Sequence, residues 1–141
     1  MHIASSATGR CIREGDVVAR ILLVDDEMAI LVVLETILKF AGHETVSCND
    51  SSKVEGILND SRFDLMISDI KMTPVDGIQL LKIANAMVPP VPTLLVSACE
   101  YLADGKTPES IGAAGHLRKP FSNKELLRIT EEATKKASIV H

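Results

Sequence analysis

Four short stretches of this 141-residue sequence carry side chains that could act together. Three consecutive acids, Asp25, Asp26 and Glu27, follow one apolar run, and a further acid, Asp69, ends another. Ser97 ends a third run, and Lys119, with Pro120 after it, follows a fourth. Gathered carboxylates repel one another and are costly without a cation, and hard oxygen ligands suit Mg²⁺. Such an ion would draw one oxygen of a phosphoryl group toward Asp69. The Lys119 ammonium would neutralise a second oxygen, and the Ser97 hydroxyl could hydrogen-bond a third. In-line attack by a carboxylate oxygen needs positioning and charge neutralisation more than covalent help. Its product would be an acyl phosphate on Asp69.

These residues converge only if the intervening chain brings them to one rim. Short apolar runs alternate with amphipathic stretches of helical length, the pattern of an α/β fold with a parallel sheet. Arg20 to Val24 reads as a strand covered on both faces. Asp26 to Phe40 carries Ile30, Val33, Leu34, Ile37 and Leu38 at helical spacing, and Gly42 stands where a C-terminal glycine belongs. Thr45 to Cys48 is a half-polar strand, suited to a sheet edge. Asn49, Asp50 and Ser51 offer caps for a helix to about Asn59. Leu65 to Asp69 is the third strand. The turn Thr73 to Gly77 leads into a helix through Leu80, Leu81 and Ala84, which Pro89, Pro90 and Pro92 end. Thr93 to Ser97 is the fourth strand.

From Cys99 to Ala114, Gly105 and Pro108 interrupt the pattern, so a helix there is short, broken or mobile. His116 to Arg118 is the fifth strand. Ser122 or Asn123 caps a last helix to about Ser138. The sum is five strands and five helical segments in one domain from residue 18 to 141. Residues 1–17 have no sustained periodicity and read as a flexible tail. In open sheets of this kind the site forms at the carboxyl ends of the strands, where all the reactive residues fall.

Composition narrows the function. The net charge of −4 argues against a nucleic-acid or anionic-membrane surface, and at 3% aromatic content no stacking platform for bases is visible. The three cysteines, Cys11, Cys48 and Cys99, are odd in number and widely spaced. They suggest buried or half-buried thiols in a reducing compartment rather than a zinc site or disulfide framework. No apolar run approaches the roughly 18 residues of a membrane helix, and the first nine residues lack the apolar core of a signal peptide. A cytoplasmic protein is expected.

With those residues in place, the chain resembles the receiver domains of response regulators in two-component signalling, from about Val18 to Val140. The resemblance rests on I-L-L-V-D-D-E (Ile21 to Glu27), D-I-K-M-T-P-V-D-G (Asp69 to Gly77), L-V-S-A (Leu95 to Ala98) and G-A-A-G-H-L-R-K-P-F (Gly112 to Phe121). Each is weak alone, but all four occur in order, each at a strand end. It implies a doubly wound five-stranded parallel sheet with flavodoxin-like (βα)5 topology, here with a weak or broken fourth helix. It implies Asp69 as phosphoacceptor, with Asp26, Asp69 and the backbone carbonyl of Lys71 as direct Mg²⁺ ligands and Asp25 acting through water. Ser97 would be the switch hydroxyl, and His116 would stand at a switch position that is often aromatic. Lys119 would pair with the phosphoryl oxygens, its bond to Pro120 cis and its amine aimed inward. The donor would be a histidine kinase or a histidine phosphotransfer protein. The output partner is unspecified and homodimerisation stays open. The domain would catalyse only its own phosphorylation and dephosphorylation. It would be a stand-alone receiver or a piece of a longer regulator. One departure stands beside the site: the proline common four residues after the phosphoacceptor is Thr73 here, and Pro74 follows it.

Singly, these residues have plainer readings. Asp25 could only cap the first helix, Asp69 could be a turn residue, Lys119 a solvated surface lysine and His116 a packing residue. Met66 and Met72 are core residues. A haloacid-dehalogenase-like phosphatase also uses an Asp nucleophile, but Lys71 stands where its second acid would be. A flavodoxin needs a hydroxyl- and glycine-rich phosphate loop where this chain has three acids. A phosphate-independent pseudo-receiver usually lacks one key acid or the lysine, and all are present.

Overall fold

The computed structural model describes residues 18–139, with side chains over 18–135, and the backbone of two short antiparallel strands, Ala4–Ser5 and Cys11–Ile12. The tail reading of the first 17 residues and the placement of the Cys11 thiol otherwise lie outside the described residues.

Five strands form one parallel sheet: β1 (Arg20–Val24), β2 (Glu44–Cys48), β3 (Leu65–Asp69), β4 (Thr93–Ser97) and β5 (Gly115–Arg118). Their spatial order is β2-β1-β3-β4-β5, so the half-polar second strand is an edge, as its sequence predicts. Among the described residues, α1 (Met28–Phe40), α2 (Val54–Asp60) and α3 (Gly77–Asn85) connect the first four strands, and α4 (Asn123–Ile139) follows β5.

The unbroken apolar runs follow from burial on both faces. Along β1, Ile21 and Leu23 pack with Leu31, Leu34 and Leu38 of α1 and Leu126 and Ala133 of α4. The alternate residues Leu22 and Val24 point the other way, onto Val54 and Leu58 of α2 and Leu80 and Ala84 of α3. Successive strand side chains face opposite sides, so a single run serves both halves of the core. Met66 and Met72 are buried there, as expected.

The helix ends are fixed by local chemistry. Gly42, at φ 97°, follows α1; its N–H donates to the Lys39 carbonyl and that of His43 to the Leu38 carbonyl, which closes the helix in a Schellman motif. Asp76 and Gln79 form a reciprocal capping box at the start of α3. Ser122 caps α4, its Oγ accepting the Glu125 N–H at 3.1 Å.

The interrupted stretch after β4 holds no α-helix. Glu109–Ile111 makes one 3-10 turn, and Gly112 leaves it at φ 107°. A single 3-10 turn therefore stands where the sequence predicts a short or broken fourth helix. Ile111 and Ala113 cover Leu81 and Leu95 in a third, small apolar cluster. Cys48 is buried, but Cys99 is exposed, which corrects the expectation of covered thiols. Among the described residues no helix is long and apolar enough to cross a membrane.

Candidate functional site at the carboxyl rim of the sheet

Sheet register decides what meets at the rim. Val24 is level with Ser68, and Asp69 with Val96, so Asp25 leaves β1 beside the last residue of β3. Ser97 is level with Arg118, and the Lys119 N–H donates to the Ser97 carbonyl at 2.8 Å. The peptide bond from Lys119 to Pro120 is cis.

Lys119 joins the two inner carboxylates. Its Nζ donates to Asp69 Oδ1 at 3.2 Å and lies 3.8 Å from Asp25 Oδ2. Asp25 is 2% exposed and Asp69 is 9% exposed, whereas Asp26 and Glu27 face solvent. Asp25 Oδ1 also accepts the Glu27 N–H at 2.9 Å. Burial pushes the Asp25 carboxyl up from 3.8 to about 6; the Glu27 hydrogen bond opposes this, Asp69 reinforces it, Lys119 opposes it, and Asp26 adds a last upward push. Charged carboxylates packed this closely want more positive charge than one ammonium brings.

The donor chemistry fits a hard cation. Carboxylate oxygens of Asp25, Asp26 and Glu27 lie within 4.8 Å of one another, oxygen ligands of the kind Mg²⁺ takes. That trio includes Glu27, which sequence reasoning had noted only as a neighbour, and omits Asp69. Asp69 joins the site through Lys119. Lys71 is exposed in the loop after Asp69, next to the cis Thr73–Pro74 bond.

Ser97 is engaged away from Asp69. Its hydroxyl lies 2.6 Å from the Cys99 carbonyl oxygen and 3.0 Å from His116 Nε2. A serine hydroxyl has one proton to give. With that proton on the Cys99 carbonyl, His116 must donate its Nε2–H to Ser97 Oγ. The two positions read as switch residues are therefore in direct contact, through a hydrogen bond that an aromatic hydrocarbon ring could not make.

Two further residues touch the segment that follows Asp69. A Cβ on Gly77 would collide with the Asp69 carbonyl oxygen and come within 2.8 Å of Ile70 Cα, and the Gly77 N–H donates to the Ile70 carbonyl at 2.8 Å. Its signal was the glycine of D-G at a helix start. Ser51 accepts the Val75 N–H at 3.1 Å. Nothing in its sequence neighbourhood marks it for more than capping.

Known proteins resemble this chain in sequence and in fold. A family model described as the response regulator receiver domain matches residues 21–131. The chain is 37% identical over 111 residues to the response regulator protein FleR of Pseudomonas aeruginosa, covering 77% of this chain and 23% of that protein. It is 28% identical over 120 residues to the transcriptional regulatory protein GlrR of Escherichia coli, covering 85% and 27%. Its fold matches the CheY-like receiver domain protein of Methanospirillum hungatei with a TM-score of 0.80 at 26% identity, over 89% of this chain and 100% of that one. It matches the chemotaxis response regulator CheY4 of Vibrio cholerae with a TM-score of 0.75 at 26% identity, over 83% and 99%. The chain spans about a quarter of the curated relatives it matches and nearly all of these receiver structures. With the model matching most of its length and the parallel sheet matching receiver structures throughout, this chain belongs to the response regulator receiver domain family.

Proposed function

We propose that residues 18–141 form a Mg²⁺-dependent phosphorylation switch, with Asp69 accepting a phosphoryl group from a histidine kinase or a histidine phosphotransfer protein. The observation that carries this reading is the Lys119 ammonium held between buried Asp25 and Asp69. One oxygen of Asp69 attacks phosphorus. The bond from phosphorus to the donor's imidazole nitrogen breaks, and its electron pair stays on that nitrogen. Lys119 shifts from the Asp69 carboxylate to a phosphoryl oxygen as negative charge moves outward.

Asp25, Asp26, Asp69 and the Lys71 carbonyl would hold Mg²⁺, with Glu27 close by. The ion would neutralise phosphoryl oxygens and offset the repulsion among these acids. Ser97 gives up the Cys99 carbonyl and donates to the phosphoryl group. His116 loses its acceptor when this happens, so the event at Asp69 is felt on β5 and in the segment after β4. A change of partner-binding face follows as a population shift. The exposed acids and the absence of an aromatic platform support protein partners over nucleic acid for this domain.

The test is the His116 ring. Adding Mg²⁺ and beryllofluoride, a phosphoryl mimic, should shift the Nε2 resonance of His116 in the parent and leave it unmoved in Asp69→Asn. A parent whose ring resonances do not respond, although the mimic binds, removes the Ser97–His116 switch. A parent that fails to bind the mimic removes the phosphoacceptor role itself.

A further inference from the structure

The turn after β2 touches both segments that bring acids to the rim. At its start, the Cys48 carbonyl accepts the backbone N–H of Asp25 at 3.3 Å. Three residues later, Ser51 accepts the Val75 N–H at its Oγ, 3.1 Å away and 24 residues distant in sequence. Ser51 is 4% exposed, a buried hydroxyl in a stretch otherwise suited to solvent. The turn between these two contacts is itself braced. Asp50 Oδ1 accepts the Ser52 N–H at 3.0 Å and the Ser52 hydroxyl at 2.6 Å, and the Asp50 carbonyl accepts the Lys53 N–H at 3.0 Å. The Cys48 thiol donates to the same carbonyl.

The loop after Asp69 is pinned at its ends, where the Ile70 N–H meets the Val96 carbonyl at 3.1 Å and the Gly77 N–H meets the Ile70 carbonyl. The Val75–Ser51 bond ties its middle to a different element. Met72 and Val75 from this loop also pack in the apolar cluster that holds Val54 and Leu58 of α2. Packing sets the loop's depth, and a directional hydrogen bond sets its register.

We propose that Ser51 is a positioning residue for the cation-binding acids, and that the turn from Cys48 to Ser52 is a strut holding the Asp25 segment and the phosphoacceptor loop at a fixed separation. The proposal rests on the reading of this rim as a Mg²⁺-dependent phosphoacceptor site. Mg²⁺ demands near-octahedral oxygens at about 2.1 Å, so a small displacement of the Asp69 and Lys71 loop relative to Asp25 and Asp26 weakens binding. Without the Ser51 hydroxyl, the Val75 N–H loses its acceptor and the loop relaxes toward water.

Calorimetric Mg²⁺ titration of the full chain, without phosphodonor, tests this together with amide exchange at Val75. Ser51→Ala should bind Mg²⁺ about threefold to tenfold more weakly, the effect of one neutral hydrogen bond, and should lose protection at Val75. Ser51→Thr, which keeps the hydroxyl, should stay within about twofold of the parent. Thr93→Val removes another buried hydroxyl, one bonded to the Val91 carbonyl at the far end of β4, and should leave Mg²⁺ affinity unchanged. Faster Val75 exchange with parent-like Mg²⁺ affinity in Ser51→Ala would make the bond merely structural and overturn the proposal. So would equal weakening in Thr93→Val. A parent that binds no Mg²⁺ removes the phosphoacceptor reading and this proposal with it, whereas a binding parent with an unaffected Ser51→Ala removes this proposal alone.

Discussion

Asp25 carries a cost that its neighbours only partly offset. Its folded-state carboxyl titrates near 6, above the ordinary 3.8, chiefly because it is buried. A carboxyl raised in this way contributes stability that is full below about pH 4 and lost as pH rises through about 6. Without Mg²⁺, the parent should therefore lose about 1–3 kcal/mol of unfolding free energy from this group between those limits. Asp25→Asn should lack that loss and be the more stable protein at neutral pH. Urea titrations at several pH values in chelator read this directly; a parent and variant with parallel pH profiles would contradict it. The sequence showed two adjacent acids but not which one turns inward. That choice depends on the phase with which the chain leaves β1, and the register with β3 settles it by placing Asp25 beside Asp69. Ser97 was visible as a hydroxyl at a strand end. Its resting partners, the Cys99 carbonyl and His116, were not, because a hydroxyl rotor takes its direction from neighbours that only tertiary contacts supply.

At the scale of elements, the loop between β3 and α3 has least room to change. Gly77 opens α3 directly against the backbone of Asp69 and Ile70. Gly77→Ala should cost about 1–3 kcal/mol of stability, as overpacking against rigid backbone does. It should also weaken Mg²⁺ binding, because the atom displaced belongs to the phosphoacceptor. Denaturant unfolding checks the first effect; a loss below about 0.5 kcal/mol would be a surface-like response and would contradict the close approach. Strands and long helices were legible because both faces of the sheet are covered, so β1, β3 and β4 are apolar without alternation, while α1 repeats its buried leucines at helical spacing. The segment after β4 was legible only as an interruption. Gly105 and Pro108 removed the option of a full helix, but the 3-10 turn that covers Leu81 and Leu95 depends on tertiary packing. The strut at Cys48 to Ser52 was not legible at all. Asn-Asp-Ser-Ser reads as generic capping residues, and the contact that gives Ser51 its place comes from a loop distant in sequence.

Across the whole molecule, the fold is a two-sided sheet whose carboxyl rim collects four acids and one lysine from separate strand ends. Strand order and parallel register make this convergence, since no two of Asp25, Asp69 and Lys119 are near in sequence. These four acids and the lysine all fall between residues 25 and 119, in a chain that corresponds to only about a quarter of its curated relatives. The central claim is that Asp69 takes a phosphoryl group when Mg²⁺ is present. Intact-mass measurement after incubation with acetyl phosphate and Mg²⁺, on the parent and on Asp69→Asn, tests it most directly. The account predicts a single phosphoryl adduct on the parent, dependent on Mg²⁺, stable in acid and labile in base, and absent from the variant. An adduct of equal yield on Asp69→Asn, or a parent that stays unmodified throughout, would contradict it.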